Sequence, residues 1–509
     1  MKAEDRINRK KKENSHSGGT KQSAGKTYKA SHKTPSWKVP TESVPSENPK
    51  QKAAALKSPS DKGASQKALN KSKPLNSSRR TENRRPAKTS ADKAYADKAY
   101  AEDMPATEKI PENKASSAND MLLPLCPHRK KCGGCQLQNL SYKEQLSYKM
   151  GICIRLLGKF GKVEEIIGME DPCHYRNKVQ SAFYTDPRSR RIISGIYQSS
   201  THHIVPVDSC MIEDSKADEI VLSVRKLIKD FKMTTYNEVT GKGFLRHVLV
   251  KRGFATNEIM VVLVSGTPIF PAKNNFCKAL LRLHPEITTI IHNVNDRFTS
   301  MLLGQNEKVL YGPGFIVDEC CGLKFRISAK SFYQINPVQT EVLYGKAMEF
   351  ADLKGGETVI DAYCGIGTIG MTAASRVQGD NPVKVIGVEV NPDAVRDAIQ
   401  NAKLNGMKNI RFYCDDATRF LSDMAVEGEK ADVVFMDPPR AGSTEEFILS
   451  VCSLAPEKVV YISCNPETLA RDLAGFTANG YKVKKIQPVD MFPFTQHVET
   501  VCLMSRKEK

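Results

Sequence analysis

The chain has 509 residues, of which 40% are hydrophobic and 26% charged, an ordinary globular composition with room for about three domains. It holds no uninterrupted apolar run of about 18 residues, and its first dozen residues are charged, which argues against a membrane protein or an exported one. We therefore expect a cytoplasmic protein whose 14 cysteines are thiols or metal ligands rather than disulfides, and whose net charge of +19 favours a polyanionic partner.

Residues 1–120 form a basic segment with 27 Lys and Arg against 14 Asp and Glu. The segment is poor in Ile, Val, Leu and Phe, and it contains a tandem Ala-Asp-Lys-Ala-Tyr repeat at 91–100. Such a composition buries too little apolar surface to offset the entropy of ordering, so we expect a disordered tail. The tail either contacts RNA or only solubilises the protein.

A cysteine-rich motif follows as soon as the composition becomes globular. Three thiols lie within ten residues, and a Gly-Gly pair allows a tight backbone path between the last two: Cys126, Cys132 and Cys135. A fourth ligand would come from one of three later cysteines, of which the last stands at a strand end: Cys153, Cys173 and Cys210. This spacing favours an iron-sulfur cluster; structural zinc and unligated thiols are the alternatives.

Residues 121–330 mix short strands and helices, which predicts an α+β central domain. Basic and aromatic residues are interleaved in segments such as 175–178 and 244–247. Such side chains suit unpaired bases and phosphates, although ordinary core aromatics under a charged surface give the same pattern.

Residues 331–509 change character again and alternate strands with helices. Asn336 followed by Pro337 predicts a helix start. The expected strands cover 358–361, 384–389, 410–413, 433–436, 458–462 and 498–504. This alternation predicts an α/β domain with a mostly parallel sheet and helices on both faces.

The first strand of this domain leads into a glycine loop, Asp361-Ala-Tyr-Cys-Gly-Ile-Gly367, that opens a helix. Glycines there allow a ligand to approach the backbone, and Glu389, at the end of the second strand, is placed to accept hydrogen bonds from ribose hydroxyls. An acid instead of the first glycine of a Gly-x-Gly-x-x-Gly loop favours a nucleoside without pyrophosphate. S-adenosylmethionine is therefore preferred over NAD.

Three candidate reactive side chains adjoin the ends of later strands: two follow a strand and one lies where the last strand begins. Asp437 begins an Asp-Pro-Pro-Arg turn after the fourth strand, and Cys464 follows the next strand before Asn-Pro. The carboxyl edge of an open α/β sheet is where such folds keep their chemistry, so the thiol is a candidate nucleophile. Glu499 enters the last strand beside them and is a candidate base.

Taken together, these motifs resemble the RNA uracil-C5 methyltransferases, and most closely the bacterial 23S rRNA branch with an iron-sulfur cluster. The resemblance runs from about Leu122 to Met504 and includes Phe-Tyr-Gln-Ile-Asn, Asp-x-x-Cys-Gly-x-Gly, Ser-Cys-Asn-Pro and His-Val-Glu-Thr-Val. It implies a class I (Rossmann-like) methyltransferase domain. It also implies the following roles: cluster ligands Cys126, Cys132, Cys135 and Cys210; S-adenosylmethionine contacts Gln334, Tyr363, Glu389 and Asp437; nucleophile Cys464; base Glu499.

The expected substrate is 23S rRNA, because the tRNA-modifying relatives lack the cluster cysteines. The chain departs from many relatives in having the basic segment where they carry a small β-barrel RNA-binding domain. A tRNA uridine is the alternative substrate; an exocyclic-amine methyltransferase and a non-catalytic RNA-binding protein are the rival functions. We expect a monomer.

Overall fold

The computed structural model describes residues 125–199, 201, 203–377 and 379–507. The predicted tail, 1–120, lies outside the described residues. Within the described residues, each helix is too short or too polar to cross a bilayer.

The first seven-stranded sheet is built from residues 178–311 and is antiparallel except between its fifth and sixth strands. Its strands are β1 (Lys178–Thr185), β2 (Ile192–Tyr197), β3 (Ile204–Pro206), β4 (Leu245–Arg252), β5 (Ile259–Ser265), β6 (Ile287–Val294) and β7 (Asn306–Tyr311), in the order β3-β2-β1-β4-β5-β6-β7. Helices α2 (Ser215–Asp230) and α3 (Lys273–Leu283) pack on one face around Val248, Val261 and Ile290. The α+β character expected of this stretch is confirmed.

The opposite face of the first sheet shares a core with the C-terminal part of the chain. Leu249, Val262 and Ile291 pack in one cluster with a hairpin, β8 (Ile316–Cys320) and β9 (Leu323–Ile327), and with the helix α4 (Pro337–Ala351) that follows it. The helix begins as predicted, because the Asn336 side chain accepts the Gln339 N–H and Pro337 occupies the first turn.

In the second seven-stranded sheet six strands run in one direction, and one strand, between the fifth and the last in the sheet order, runs antiparallel to both of its neighbours. Its strands are β10 (Thr358–Asp361), β11 (Lys384–Glu389), β12 (Ile410–Cys414), β13 (Val433–Met436), β14 (Lys458–Ser463), β15 (Tyr481–Val489) and β16 (Glu499–Arg506), in the order β12-β11-β10-β13-β14-β16-β15. The strand order reverses between β10 and β13, and this reversal is where open α/β sheets bind ligands.

Helices cover both faces of this sheet, as the alternating pattern predicted. One face carries α4, α5 (Thr368–Arg376) and α6 (Pro392–Leu404); the other carries α1 (Tyr142–Leu157), α7 (Ala417–Val426), α8 (Glu445–Leu454) and α9 (Pro466–Ala478). The sequence pattern missed β15, an edge strand with exposed Lys482, Lys484 and Lys485 and a proline at 488. Charged residues and proline are the usual protection of a sheet edge, and they hide the strand signal.

The segment after the cysteine motif is attached to the second sheet. Helix α1 packs on the face of α9, and short parallel bridges join Val163 to Ile486 and Ile167 to Val489. Residues predicted to belong to the central domain therefore contact the strand that leads toward Glu499.

Candidate active site

A glycine loop joins β10 to α5. Gly365 and Gly367 have φ values of +53° and +89°, and a Cβ on Gly367 would lie 2.8 Å from a ring atom of Phe412. Larger residues would be strained there, so the backbone of this loop is left open to an approaching ligand.

Two carboxylates flank the loop. Glu389 accepts the Gly365 N–H at 3.2 Å and the Asn391 N–H at 2.8 Å, which fixes its side chain across the end of β11. Asp361 is fully buried; one oxygen accepts the Gly370 N–H at 2.7 Å and the other has no partner. Burial, with Asp437 and Glu389 nearby, raises the pKa of Asp361 to about 7. An unpaired buried oxygen beside an open glycine loop fits a polar nucleoside such as S-adenosylmethionine.

Two further predicted cofactor residues, Gln334 and Tyr363, have side chains or backbone engaged in contacts within the protein. Gln334 is buried just before α4, and its main-chain carbonyl accepts a hydrogen bond from the Asn177 side-chain amide at 3.0 Å. The Tyr363 ring packs against Phe447 with 5.1 Å between ring centroids, so this side chain belongs to the core beside α8.

We call Asp437, Cys464 and Glu499 the catalytic edge, because all three stand at the same edge of neighbouring strands. Asp437 directly follows β13 and Cys464 directly follows β14, while Glu499 is the first residue of β16. Ser463 pairs with Thr500 in the antiparallel β14–β16 ladder, so Cys464 and Glu499 are the next residues at that edge. The structure thus brings the predicted nucleophile, base and platform acid together.

The three titratable groups of the catalytic edge are buried, and burial raises the pKa of each of them. Burial raises the pKa of Cys464 to about 12, with Glu499 and Asp437 adding to the effect and Arg440 opposing it. Glu499 is 3% exposed, one of its carboxylate oxygens has no partner, and burial beside Asp437 raises its pKa well above the ordinary value. Burial also raises the pKa of Asp437 to about 7. Burial therefore favours the protonated form of Glu499; once ionised, such a carboxylate is a stronger base than an exposed one, which suits removal of a proton from carbon.

Sequence reasoning missed a contact that spans the site. Arg440 Nη2 lies 2.9 Å from His497 Nδ1. Burial and the Arg440 charge lower the pKa of His497 to about 4, so its ring is neutral and accepts from the guanidinium. The segment that follows the Asp-Pro-Pro-Arg turn is bound to helix α9 and strand β14. Asp472 accepts the Ser443 N–H at 2.8 Å and the Tyr461 hydroxyl at 2.7 Å.

The cysteine group, defined as Cys126, Cys132, Cys135 and Cys210, lies on loops. Gly133 has φ +70° between the second and third thiols, and Cys210 lies between β3 and α2. Each thiol affects the charge of another: Cys126 adds to the raised pKa of Cys132, Cys132 to that of Cys135, and Cys135 to that of Cys210. Burial is the main cause in all three.

A small core of Met169, Tyr175, Ile212 and Phe494 separates the later cysteines into those near the group and one far from it. Cys135 and Cys210 pack on Tyr175 and Phe494, whereas Cys153 is buried in the core beneath the second sheet. Cys173 also touches the small core. Four thiols in one neighbourhood form a donor set that fits an iron-sulfur cluster.

Another thiol group was not expected from the sequence. Cys320, Cys321 and Glu341 place one ligand atom each within 4.8 Å of one another. The Glu341 carboxylate accepts the Cys321 N–H at 2.7 Å, and Cys320 is 2% exposed in the core. These contacts account for the group as part of the hairpin turn.

The loop between β15 and β16, residues 490–498, is held by the segment that carries the cysteine motif; we call it the clamped loop. Lys149 Nζ lies 2.5 Å from the Asp490 carboxylate and donates to the Phe492 carbonyl at 2.9 Å, with both side chains of the ion pair fully buried. The Phe494 N–H donates to Gln145 at 2.8 Å, and its carbonyl accepts the Leu137 N–H at 2.9 Å. His497 lies in this loop and Glu499 directly follows it.

Comparison with known proteins identifies the family to which this chain is similar. Residues 315–507 match the family model described as tRNA (Uracil-5-)-methyltransferase. An uncharacterized RNA methyltransferase of Halalkalibacterium halodurans is 41% identical over 400 residues, which cover 78% of this chain and 86% of that protein. One from Caldanaerobacter subterraneus is 43% identical over 404 residues, covering 79% and 87%.

A solved structure gives a similar result. The tRNA (uracil-54, C5)-methyltransferase of Pyrococcus abyssi, in complex with S-adenosyl-L-homocysteine, is 28% identical with a TM-score of 0.61. The match covers 74% of this chain and 86% of that one.

Proposed function

This chain belongs to the RNA uracil-C5 methyltransferase family, and from that premise we propose that it forms 5-methyluridine at a uridine of 23S rRNA. It is an S-adenosylmethionine-dependent RNA (uracil-5-)-methyltransferase. The observation that carries the mechanistic proposal is the catalytic edge, where a thiol and two buried carboxylates meet at the ends of adjacent strands.

The reaction requires a nucleophile because uracil C5 is too weakly nucleophilic to attack a methyl group. The Cys464 sulfur adds to C6, and the electron pair of the C5–C6 bond moves into an enolate, which makes C5 reactive. S-adenosylmethionine supplies the methyl group when bound. Glu499 then removes the C5 proton, the C5–C6 double bond re-forms, and the Cys464 thiolate leaves.

The raised pKa of Cys464 sets a condition on the first step. A thiol with a pKa of about 12 is protonated at neutral pH, so Cys464 must release its proton to solvent as the uracil ring binds. Arg440 is the nearby cation that favours the thiolate. The target uridine must be unpaired or flipped to reach this edge.

We assign the cofactor to the glycine loop. Glu389 would hold the ribose hydroxyls, and Asp437 would lie at the reacting end. Gln334 and Tyr363 complete the proposed contacts. For Tyr363 we expect a contact through its exposed part or its backbone, because its ring is packed on Phe447.

The cysteine group is proposed to hold a 4Fe-4S cluster through Cys126, Cys132, Cys135 and Cys210. Its presence is our reason for preferring rRNA, together with the resemblance described above. A tRNA uridine is the second candidate, because the matching family model and the Pyrococcus structure are both described as tRNA enzymes. We further expect a cytoplasmic monomer.

The function is tested with RNA carrying 5-fluorouridine, incubated with S-adenosylmethionine and the protein. Fluorine at C5 cannot be removed as a proton, so a stable covalent complex is expected on a denaturing gel. Cys464→Ala should abolish the complex, while Cys414→Ala, which alters an exposed strand-end thiol, should retain it. Methylation by Cys464→Ala would contradict the mechanism, and labelling of tRNA but not 23S rRNA would select the second substrate.

The cluster is tested by anaerobic purification. Brown protein with about four iron and four sulfide per chain is expected for a 4Fe-4S cluster. Cys132→Ser should lose iron, while Cys173→Ser, a neighbouring thiol outside the proposed ligand set, should keep it. Protein with zinc and no iron would overturn this assignment.

A further inference from the structure

A cavity of about 470 Å³ opens on the first sheet, and none of the three residues of the catalytic edge lines it. Its walls come from the start of α3, the segment before it, and strands β6 and β7, and it is lined by Pro268, Phe270, Ala272, Lys273, Asn274, Asn275, His292, Lys308 and Leu310. Ligand sites commonly have volumes of about 300–1,000 Å³. We propose that this cavity binds a backbone phosphate of the RNA substrate and the nucleotide attached to it.

The charge of the lining favours an anion. Lys273 and Lys308 are the lining residues with a permanent charge, and the lining includes no carboxylate. Among the described residues, neither the Lys273 nor the Lys308 ammonium forms an ion pair or a hydrogen bond. Both charges, after burial, lower the pKa of His292, which places them near the same ring. Two unpaired like charges around one cavity repel each other, and a bound anion removes that cost.

The start of α3 adds donors of the same sign. Its N-cap residue, Ala272, has φ +46° and no side chain able to cap, and the first turn contains no acidic residue. The first-turn amides of this 11-residue helix therefore lack a side-chain acceptor, at a helix end that carries partial positive charge. The residues of that turn line the cavity beside the two lysines.

The floor of the cavity suits a base or ribose. The Phe270 and His292 rings lie 5.3 Å apart between centroids, and His292 Nε2 is fixed by Ser265 Oγ at 2.6 Å. Leu310 completes the floor. Both rings are buried, 9% and 4% exposed, so they offer an apolar surface beneath the two lysines rather than a free stacking face.

The position of the cavity predicts which RNA depends on it. Phe270 belongs to the core between the first sheet and helices α2 and α3, whereas Ile291, one residue from His292, points into the core shared with the second sheet. The cavity therefore lies on the face of the first sheet opposite to the one that packs against the C-terminal part of the chain. An RNA must extend around the first sheet to occupy both the cavity and the catalytic edge, so a short oligonucleotide around the target uridine would not reach the cavity.

The inference rests on the proposed function, since it takes RNA as the substrate, and two RNAs of different length test it separately. The variant is Lys273→Gln with Lys308→Gln; the matched control is Lys278→Gln with Lys229→Gln, two lysines of α3 and α2 outside the cavity. We expect the cavity variant to bind a long rRNA domain fragment about tenfold or more weakly. The slope of log K against log salt should fall by about one to two, as expected when two cations leave a phosphate.

Methylation of a short oligonucleotide and binding of S-adenosylmethionine should stay at the wild-type level in both variants. Equal losses for long and short RNA, or no loss for either, would overturn the inference. Unchanged RNA affinity with weaker binding to polyglutamate would assign the cavity to an acidic protein instead. Absence of methylation of any RNA by the wild-type protein would count against the proposed function, not against the cavity.

Discussion

The two thiol sites of this protein are held in opposite ways. Cys464 stands at the end of a strand, in register with Glu499 across a ladder and followed by a helix whose cap, Asn465, accepts the Glu467 N–H at 3.0 Å. The cysteine group stands on loops, and two of its members, Cys135 and Cys210, pack on Tyr175 and Phe494. Main-chain hydrogen bonds of the β14–β16 ladder thus position Cys464, the proposed nucleophile. The cysteine group depends instead on side-chain packing and on the cluster that its thiols are proposed to bind.

The clamped loop connects the two sites. It is gripped by Leu137, Gln145 and Lys149, which follow the cysteine motif, and it runs directly into His497 and Glu499. The comparison therefore gives a physical expectation: changes at the catalytic edge should affect chemistry alone, while changes on the cysteine side should affect stability first.

The largest expected effect is that of Glu499→Gln at the catalytic edge. Removing the base should lower turnover by about 10²–10⁴-fold, because proton removal from C5 then has no positioned acceptor. Cys464 still adds to the ring and the methyl group is still transferred, so a methylated covalent RNA–protein complex should accumulate on a denaturing gel.

The control for that prediction is Glu457→Gln, at an exposed carboxylate just before β14. It should turn over normally and accumulate no complex. Normal turnover by Glu499→Gln would assign the base elsewhere, and unfolding by urea at the wild-type midpoint would show that the fold is intact.

The next effect concerns the clamped loop. Asp490→Asn leaves the Lys149 ammonium buried without its counter-ion, which should lower the free energy of unfolding by about 3–5 kcal/mol. Replacing both partners, Lys149→Met with Asp490→Leu, should recover much of the loss because no charge then remains buried. Urea unfolding measures both.

An exposed ion pair provides the matched control. Lys346 and Glu349 lie 2.7 Å apart with side chains 32% and 53% exposed, and Glu349→Gln should cost less than about 1 kcal/mol. Similar losses from Asp490→Asn and Glu349→Gln would contradict the view that the clamped loop is held by a buried charge.

The two regions also differ in how far the sequence predicts them. Asp437, Cys464 and Glu499 could be placed because each adjoins a short apolar strand, and strand ends of a parallel sheet share one edge. The Lys149–Asp490 pair joins residues 341 positions apart and leaves no local pattern. The antiparallel order of the first sheet likewise depends on long-range pairing, so the sequence indicated its class but not its strand order.

Asp361 shows a third situation. The sequence places it at a strand end before the glycine loop, but its unpaired oxygen and full burial depend on packing that only the structure shows. The pairing of Arg440 with His497 likewise depends on the fold. Arg440 follows β13 and His497 precedes β16, so no local pattern in the sequence indicates their contact.

The burial of Asp361 predicts a pH effect on stability. Its folded pKa of about 7 lies above the ordinary value near 4, so the folded state binds the proton more tightly, and the carboxylate lowers stability increasingly as pH rises from about 4 to 7. Asp361→Asn removes this term. The stability of the variant relative to wild type should therefore improve by up to about 1.4 kcal/mol per pH unit across that window.

Paired urea titrations at pH 4.5 and 6.5 measure this difference, and the exposed Asp423→Asn should show almost none. A relative stability of Asp361→Asn that stays constant with pH would mean that Asp361 titrates normally, and its place beside the cofactor would then have to be solvated.

The smallest expected effect is at the start of α1, on the cysteine side of the comparison. The Ser141 hydroxyl accepts the Glu144 N–H at 3.4 Å, and the Glu144 carboxylate accepts the Ser141 N–H at 2.8 Å, a reciprocal cap. Ser141→Ala should lower the free energy of unfolding by about 1 kcal/mol, while Ser147→Ala inside the same helix should be neutral or slightly stabilising.

The cap also depends on pH. Hydrogen bonds from Ser141 lower the pKa of Glu144, so the contribution of the cap is present at neutral pH and lost as pH falls through that pKa. Iron content should stay unchanged in Ser141→Ala, because Tyr142, the helix residue that packs on the same small core as Cys135 and Cys210, is retained. Loss of iron with only a small loss of stability would instead show that the start of α1 positions the cysteine group.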